Sequence, residues 1–221
     1  MVDTRPLWEQ PVLQQAAGDT LRPGGFDITD RGAELAGILP GWRVLDIGCG
    51  LGATVARLRS RYGANAYGID ASSEQLQRAE DNTYLFEMRG DSLPFSADSF
   101  NAIFAECVLS LMPHKDTALE HWYRVLNPGG FLILSDIFSD GHISANSSPC
   151  AQGSIPLADT RTLVEKAGFI VRQVEDHSHR LKELAAKLIF AGHTGESCRC
   201  QNGKPGYYLL VAQKGGASHA G

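Results

Sequence analysis

Residues 44–52 read Val44-Leu45-Asp46-Ile47-Gly48-Cys49-Gly50-Leu51-Gly52, and this stretch decides the fold. Its apolar first half suits a buried strand. The glycines that follow at every second position let the backbone turn tightly and approach a ligand where a Cβ would clash. The next residues, 53–60, continue as a predicted helix, whose free N–H groups can face that ligand. The stretch therefore predicts a strand, a glycine turn and a helix that together form a ligand site.

Strand and helix patterns alternate on both sides of this turn, which indicates an α/β fold with parallel strands joined by crossover helices. A first helix is predicted from Thr29 or Asp30 to Leu39, where Pro40-Gly41 ends it. Strands are predicted near 43–47, 65–69, 84–88, 100–106, 130–136, 169–175 and 207–212. Further helices are predicted near 53–61, 72–81, 115–125, 157–167 and 179–191.

The chain of 221 residues is long enough for one α/β domain with a sizeable core. Residues 1–40 are predicted to form an N-terminal helical or lid segment that packs over this core. Residues 41–214 are predicted to form the ligand-binding domain, with a helix and a cysteine-rich insertion at about 178–206. The tail, 215–221, is predicted to be disordered.

The composition excludes several classes of partner. A net charge of −5 argues against nucleic acid, because a phosphate backbone requires a basic surface. No apolar run approaches the length that spans a membrane, so we expect a cytoplasmic protein with a small-molecule partner and no membrane contact. In that reducing compartment the 5 cysteines are expected to be thiols or ligands rather than disulfides. The sequence does not determine the oligomeric state.

Two further acids follow at positions typical of a nucleoside site. Asp70 ends the second predicted strand and can accept hydrogen bonds from ribose hydroxyls, although a helix N-cap is the alternative because serines follow it. Asp91 ends the third strand, where it can either accept an adenine amino group or make its own turn. The order and spacing of these acids after the glycine turn favour a nucleoside ligand.

These blocks resemble the class I S-adenosylmethionine (SAM) methyltransferases, whose motif I has the D-x-G-x-G-x-G spacing of residues 46–52. The segment Arg124-Val125-Leu126-Asn127-Pro128-Gly129-Gly130 resembles a later block of that family. The resemblance implies a Rossmann-like, seven-stranded, mostly parallel sheet with an antiparallel last strand. It also implies SAM as cofactor and S-adenosylhomocysteine as product. The implied cofactor-binding residues are Asp46, Gly48, Cys49, Gly50, Asp70, Ala71, Asp91, Ser92 and Glu106.

Methyl transfer is an in-line displacement at carbon for which the protein mainly supplies alignment and desolvation. A general base is needed only when the acceptor arrives protonated, so the sequence need not contain a catalytic triad. Asp46 is expected to order the glycine turn or to reach the methionine ammonium of the cofactor. The histidines His177 and His179 are candidates for a base near the substrate, with exposed helix-start residues as the alternative.

The segments around Cys107 and Cys150 resemble the arsenite methyltransferases, which implies that these two cysteines hold As(III) as the methyl acceptor. Soft thiolates suit such a centre. Cys107 could instead be a small buried apolar residue at a strand end. The wider alternatives are a methyltransferase for a carbon, nitrogen or oxygen acceptor, and a non-catalytic SAM-binding accessory protein with a thiol metal site.

Cys198 and Cys200 form a close pair that is a candidate for metal binding. Two thiolates do not complete a tetrahedral zinc site, but His193 or Cys150 could supply further ligands. A cysteine-rich turn without any ligand is the alternative.

Overall fold

The computed structural model describes residues 5–140, 152–192 and 205–215. The strands are β1 (Arg43–Ile47), β2 (Asn65–Asp70), β3 (Leu85–Glu87), β4 (Phe100–Glu106), β5 (Leu126–Phe138), β6 (Phe169–Asp176) and β7 (Gly206–Lys214). The α-helices are α1 (Pro11–Ala17), α2 (Gly25–Ala36), α3 (Ala53–Tyr62), α4 (Ser73–Arg78), α5 (Lys115–Val125), α6 (Leu157–Lys166) and α7 (Ser178–Phe190).

In the described ranges, the 7 strands form one sheet in the order β3-β2-β1-β4-β5-β7-β6. Every neighbouring pair among the first five strands of the chain is parallel. Strand β7 pairs antiparallel with both β5 and β6. The predicted Rossmann-like sheet with an antiparallel last strand is therefore confirmed. Because β1 lies between β2 and β4, the strand order reverses beside it, and open α/β sheets bind ligands at such a point.

The central strands are buried on both faces by helices, as parallel sheets require. One hydrophobic cluster packs around Trp122 of α5, whose indole N–H donates to the carbonyl oxygen of Gly90 at 2.8 Å. A second cluster covers the opposite face around Phe104 of β4. The carboxyl ends of β1, β2 and β4 thus lie on a rigid base. Within the described ranges, no helix is long and apolar enough to cross a membrane.

The predicted bounds of the first long helix are wrong at both ends. The helix α2 begins at Gly25, because Gly24 adopts a left-handed conformation (φ +74°) that starts it earlier. Thr29, expected as the cap, lies inside the helix, and its hydroxyl donates to Glu106 at 3.1 Å. Gly37 (φ +64°) ends the helix before the expected Pro-Gly stop.

Two other element boundaries differ from those predicted from the sequence. Strand β5 begins at Leu126 rather than near residue 130, because Leu126 pairs with Phe100 before a bulge in the ladder. Helix α4 ends at Arg78, since Ala79 adopts an extended backbone. Sequence patterns alone locate helix and strand ends poorly because a cap or a bulge depends on backbone conformation.

A buried carboxylate joins the end of β5 to the loop after β4. Asp136 is 1% exposed and accepts hydrogen bonds from the Ser110 N–H at 2.7 Å and the Ser110 hydroxyl at 2.8 Å. Burial raises the pKa of Asp136 to about 6, and these hydrogen bonds oppose that shift. Ser110 lies in the short turn Leu109–Leu111, so Asp136 fixes the segment that follows the β4 strand.

We expect the free energy of unfolding of the wild type to fall relative to Asp136→Asn as pH rises from about 4 to 6. The folded-state pKa is about 6, above the unfolded value, so the folded protein holds this proton more tightly. The stabilising contribution is present below about pH 4 and is lost as the pH rises through the folded-state pKa. Its upper limit is roughly 3 kcal/mol. Urea denaturation of both proteins across this pH range measures the difference. A difference that does not change with pH would contradict the assignment.

Candidate functional site

A cavity of about 650 Å³ opens at the carboxyl ends of β1, β2 and β4. Its volume lies within the range of about 300–1,000 Å³ that is usual for small-molecule sites. The predicted site residues that line it are Asp46, Gly48, Cys49, Gly50, Asp70, Ala71, Asp91, Glu106 and Cys107. Ser92 belongs to the predicted set but does not line the cavity. The sequence-predicted cofactor residues are thus nearly all brought together by the fold.

The glycines of the turn have different roles. A Cβ on Gly48 (φ +71°) would lie 2.2 Å from Cγ2 of Val108, so this glycine allows the turn to pack against the segment after β4. A Cβ on Gly50 (φ +52°) would meet its nearest neighbour, Cδ1 of Leu21, at 3.6 Å, an ordinary contact. Gly50 therefore leaves open space above the turn, where a ligand can approach the backbone.

Asp70 holds the glycine turn and the following loop in place. Its carboxylate accepts the Gly50 N–H at 2.8 Å and the Ser72 N–H at 2.8 Å. The N-cap of α4 is Ser72, whose hydroxyl accepts the Gln75 N–H at 3.3 Å. Asp70 is therefore not the N-cap of this helix, and its half-buried carboxylate lies at the cavity wall.

Asp46 is buried at the base of the cavity, where it is 3% exposed. Burial raises its pKa well above the usual range, and the nearby Glu106 carboxylate adds to this effect. In the part of the chain that the structure describes, no group donates a hydrogen bond to its carboxylate. The N–H groups of Gly48 and Cys49 bond instead to the carbonyl of Ile69. Asp46 thus does not order the turn through its side chain, and its carboxylate suits a cationic group of a ligand.

A buried ion pair lies beside Asp46 and was not predicted from the sequence. Arg22 Nη2 is 2.8 Å from Oε2 of Glu106, and the two side chains are 6% and 3% exposed. Thr54 donates to Glu106 at 2.7 Å, and Thr29 donates to its other oxygen at 3.1 Å. Both carboxylate oxygens of Glu106 are therefore engaged by the protein itself. Arg22 lies in a Pro- and Gly-rich segment without periodicity, so the sequence offered no signal for it.

Asp91, at the opposite end of the cavity floor, is engaged by a neighbour in sequence. Arg89 donates to its two carboxylate oxygens at 3.0 and 2.5 Å. This bidentate contact lowers the pKa of Asp91 and keeps it ionised at neutral pH. An ionised acid at this edge can still accept a further donor, because each carboxylate oxygen has two lone pairs.

Cys107 directly follows β4 in a left-handed backbone conformation (φ +59°), and it lines the cavity wall. Its Sγ lies 3.4 Å from the hydroxyl of Tyr207, which donates in turn to Ser135 at 3.0 Å. Cys107 is half-buried, whereas Cys49 is 8% exposed and its thiol pKa is raised by burial. Cys107 also packs against the hydrophobic cluster around Phe104, as the alternative of an apolar residue at a strand end predicts.

The remaining predicted ligands and bases include three cysteines and two histidines. Cys150, Cys198 and Cys200 lie outside the described residues. Within the described ranges there is no cluster of three or more His, Cys, Asp or Glu side chains able to hold a metal ion. His177 pairs with Glu175 at 3.1 Å, and neither His177 nor His179 lines the cavity.

The N-terminal segment and α7 form the roof of the cavity. Leu13 of α1 packs with Leu184 and Leu188 of α7 in a third hydrophobic cluster. The segment before α1 is hydrogen-bonded to the start of α4. Ser72, which caps α4, donates to Glu9 at 3.0 Å, and Gln75 of α4 donates to the Trp8 carbonyl oxygen. The roof is thus attached to the loop that follows Asp70 on one side and to the last helix on the other.

Comparison with known proteins identifies the family. Residues 45–134 match a methyltransferase domain family. The chain is 30% identical to methyltransferase GfsG of Streptomyces halstedii over 229 positions, which cover 89% of this chain and 82% of that protein. It is also 30% identical to an arsenite methyltransferase of Aquipseudomonas alcaligenes, over 83% of this chain and 60% of that protein.

A solved structure shows the same fold. Phosphoethanolamine N-methyltransferase 2 of Haemonchus contortus, in complex with S-adenosyl-L-methionine, superposes with a TM-score of 0.76 at 20% identity over 92% of this chain and 56% of that chain. The strand order, the glycine turn and these relatives agree. The chain belongs to the class I SAM-dependent methyltransferases, and SAM is its cofactor.

Proposed function

We propose that this protein transfers the methyl group of SAM to a small-molecule acceptor inside the roofed cavity. The observation that carries the proposal is the open space above Gly50 beside the buried Asp46, whose carboxylate receives no hydrogen bond from the described residues. When bound, SAM supplies a methyl group on a sulfonium, an excellent leaving group. The protein then has to align the acceptor and exclude water.

The roles proposed for the floor residues follow from their contacts. Asp46 receives the methionine ammonium, because it is a buried acid to which no described residue donates a hydrogen bond. Asp70 accepts the ribose hydroxyls with the lone pairs that its two backbone contacts leave free. Asp91 accepts the adenine amino group at the far edge. Glu106 acts indirectly, since its oxygens hold Arg22, Thr29 and Thr54.

We further infer a cytoplasmic location and no nucleic-acid partner. The net charge of −5 and the five cysteines support this proposal. A cavity of about 650 Å³ beneath a roof suits a small acceptor better than a polymer.

As(III) is a second candidate acceptor. Two observations favour it: Cys107 lines the cavity, and an arsenite methyltransferase is among the relatives. The chain spans 60% of that relative's length, so the activity of the whole relative is not transferred to this chain. Cys150, the second proposed ligand, lies outside the described residues.

Gly50→Ala is expected to weaken SAM binding by about tenfold or more while the domain stays folded, because the new Cβ occupies the space where the ligand meets the turn. Gly37→Ala is the matched control. Gly37 shares the left-handed conformation (φ +64°), and a Cβ added to it would have no neighbour within 4 Å, but it ends α2 away from the cavity. Calorimetric titration with SAM and circular dichroism measure both effects. Equal SAM affinities in the two variants would contradict the proposed turn contact.

Binding of SAM is expected to release protons at a pH where the amino group of the ligand is already protonated. Burial raises the pKa of Asp46 in the free protein, and an arriving ammonium favours the ionised form, so the pKa falls on binding. Affinity should therefore rise with pH. Calorimetry in buffers of different ionisation enthalpy counts the protons. Asp46→Asn should abolish the release, and persistent release in this variant would assign it to another group.

For the second candidate, Cys107→Ser is expected to remove As(III) binding while leaving SAM affinity unchanged. Serine keeps the approximate shape of the side chain but is a hard ligand that binds a soft centre poorly. As(III) titration and SAM calorimetry on the same samples test this. Undiminished As(III) binding in the variant would exclude Cys107 as a ligand and leave the general methyltransferase proposal intact.

A further inference from the structure

The cavity has two chemically different halves. The floor carries the acids and backbone groups described above. The roof is lined mainly by apolar side chains from the N-terminal segment and from α7, and Glu9 and Asp19 of the N-terminal segment also line the cavity. The members that face the cavity are Leu7, Trp8, Leu13, Leu181, Leu184, Ala185 and Leu188.

The helix α7 is amphipathic, and its apolar side lines the cavity. Leu184 and Leu188 are 9% and 4% exposed, and Leu181 and Ala185 are half-buried along the same side. The residues between them, including Ala186, face solvent. This spacing of apolar positions is that of a helix with one buried face.

The cations that line the described part of the cavity are already paired. Among the described lining residues the side-chain cations are Arg22 and Arg89. Arg22 pairs with Glu106 at 2.8 Å, and Arg89 pairs with Asp91 at 2.5 Å. A phosphate or carboxylate on an acceptor would therefore find no unpaired cation among the described residues of the apolar half. Burying an anion without a partner is strongly unfavourable.

We infer that the methyl acceptor has a large apolar body, carries no anionic group, and binds beneath the roof formed by α1 and α7, with that body against Leu181 and Ala185. This inference rests on the proposed function, since it takes the polar floor to be the cofactor half of the same cavity. The roof both selects such an acceptor and excludes water from the reacting atoms.

Two fluorescent probes of the same ring framework test the inference: neutral N-phenylnaphthylamine and its anionic relative, anilinonaphthalene sulfonate. Each is titrated into the wild type saturated with S-adenosylhomocysteine. The neutral probe is expected to bind at least about tenfold more tightly than the sulfonate. Burial of the anionic sulfonate without a cationic partner is unfavourable. Equal binding, tighter binding of the sulfonate, or no binding of the neutral probe overturns the inference.

Ala185→Glu and Ala186→Glu form a matched pair of variants. They place the same charge on neighbouring residues of α7, on its cavity side and its solvent side. Ala185→Glu is expected to weaken the binding of the neutral probe by about tenfold or more, and Ala186→Glu is expected to leave this binding unchanged. Equal effects of the two variants overturn the inference.

Calorimetry with S-adenosylhomocysteine on the same samples separates the acceptor inference from the proposed function. Normal binding of S-adenosylhomocysteine together with a failed probe experiment rejects the apolar acceptor alone. Failure of the wild type to bind S-adenosylhomocysteine rejects the proposed function, and the acceptor inference with it.

Discussion

The buried ion pair between Arg22 and Glu106 is the contact on which the cavity depends. It joins the N-terminal segment to the carboxyl end of β4, and the hydroxyls of Thr29 and Thr54 add α2 and α3 to the same cluster. Removing charges from water is costly, so loss of either partner of a buried ion pair is strongly destabilising. Truncation of either partner would leave an uncompensated charge, so the pair fixes where the N-terminal segment can lie.

This anchoring explains how one cavity combines two kinds of chemistry. The floor consists of strand ends and a glycine turn, where backbone groups and Asp70 are held by short hydrogen bonds. The roof consists of helix faces that contact each other through apolar side chains. A rigid polar floor suits a cofactor with defined donors and acceptors, whereas an apolar roof discriminates by size and charge.

The sequence by itself determined the sheet and most of the cofactor site. Apolar runs, glycine spacing and strand–helix alternation are local signals, because they reflect burial and backbone freedom at each position. They correctly predicted the parallel strands and the meeting of Asp46, Gly50 and Asp70 at one edge, whereas the antiparallel last strand followed only from the family resemblance. Parallel strands bring their carboxyl ends together regardless of what lies between them, so topology alone carried these residues into one site.

Only the tertiary structure decided which side chains contact one another and which helix faces line the cavity. Nothing local in the sequence links Arg22 to Glu106, or Asp136 to Ser110, since these contacts join segments that are distant along the chain. The start of α2 was likewise set by the left-handed Gly24 rather than by the expected cap at Thr29, whose hydroxyl is used by Glu106. The roof follows the same rule: apolar spacing predicted that α7 has a buried face, but only packing against α1 made that face a wall of the cavity.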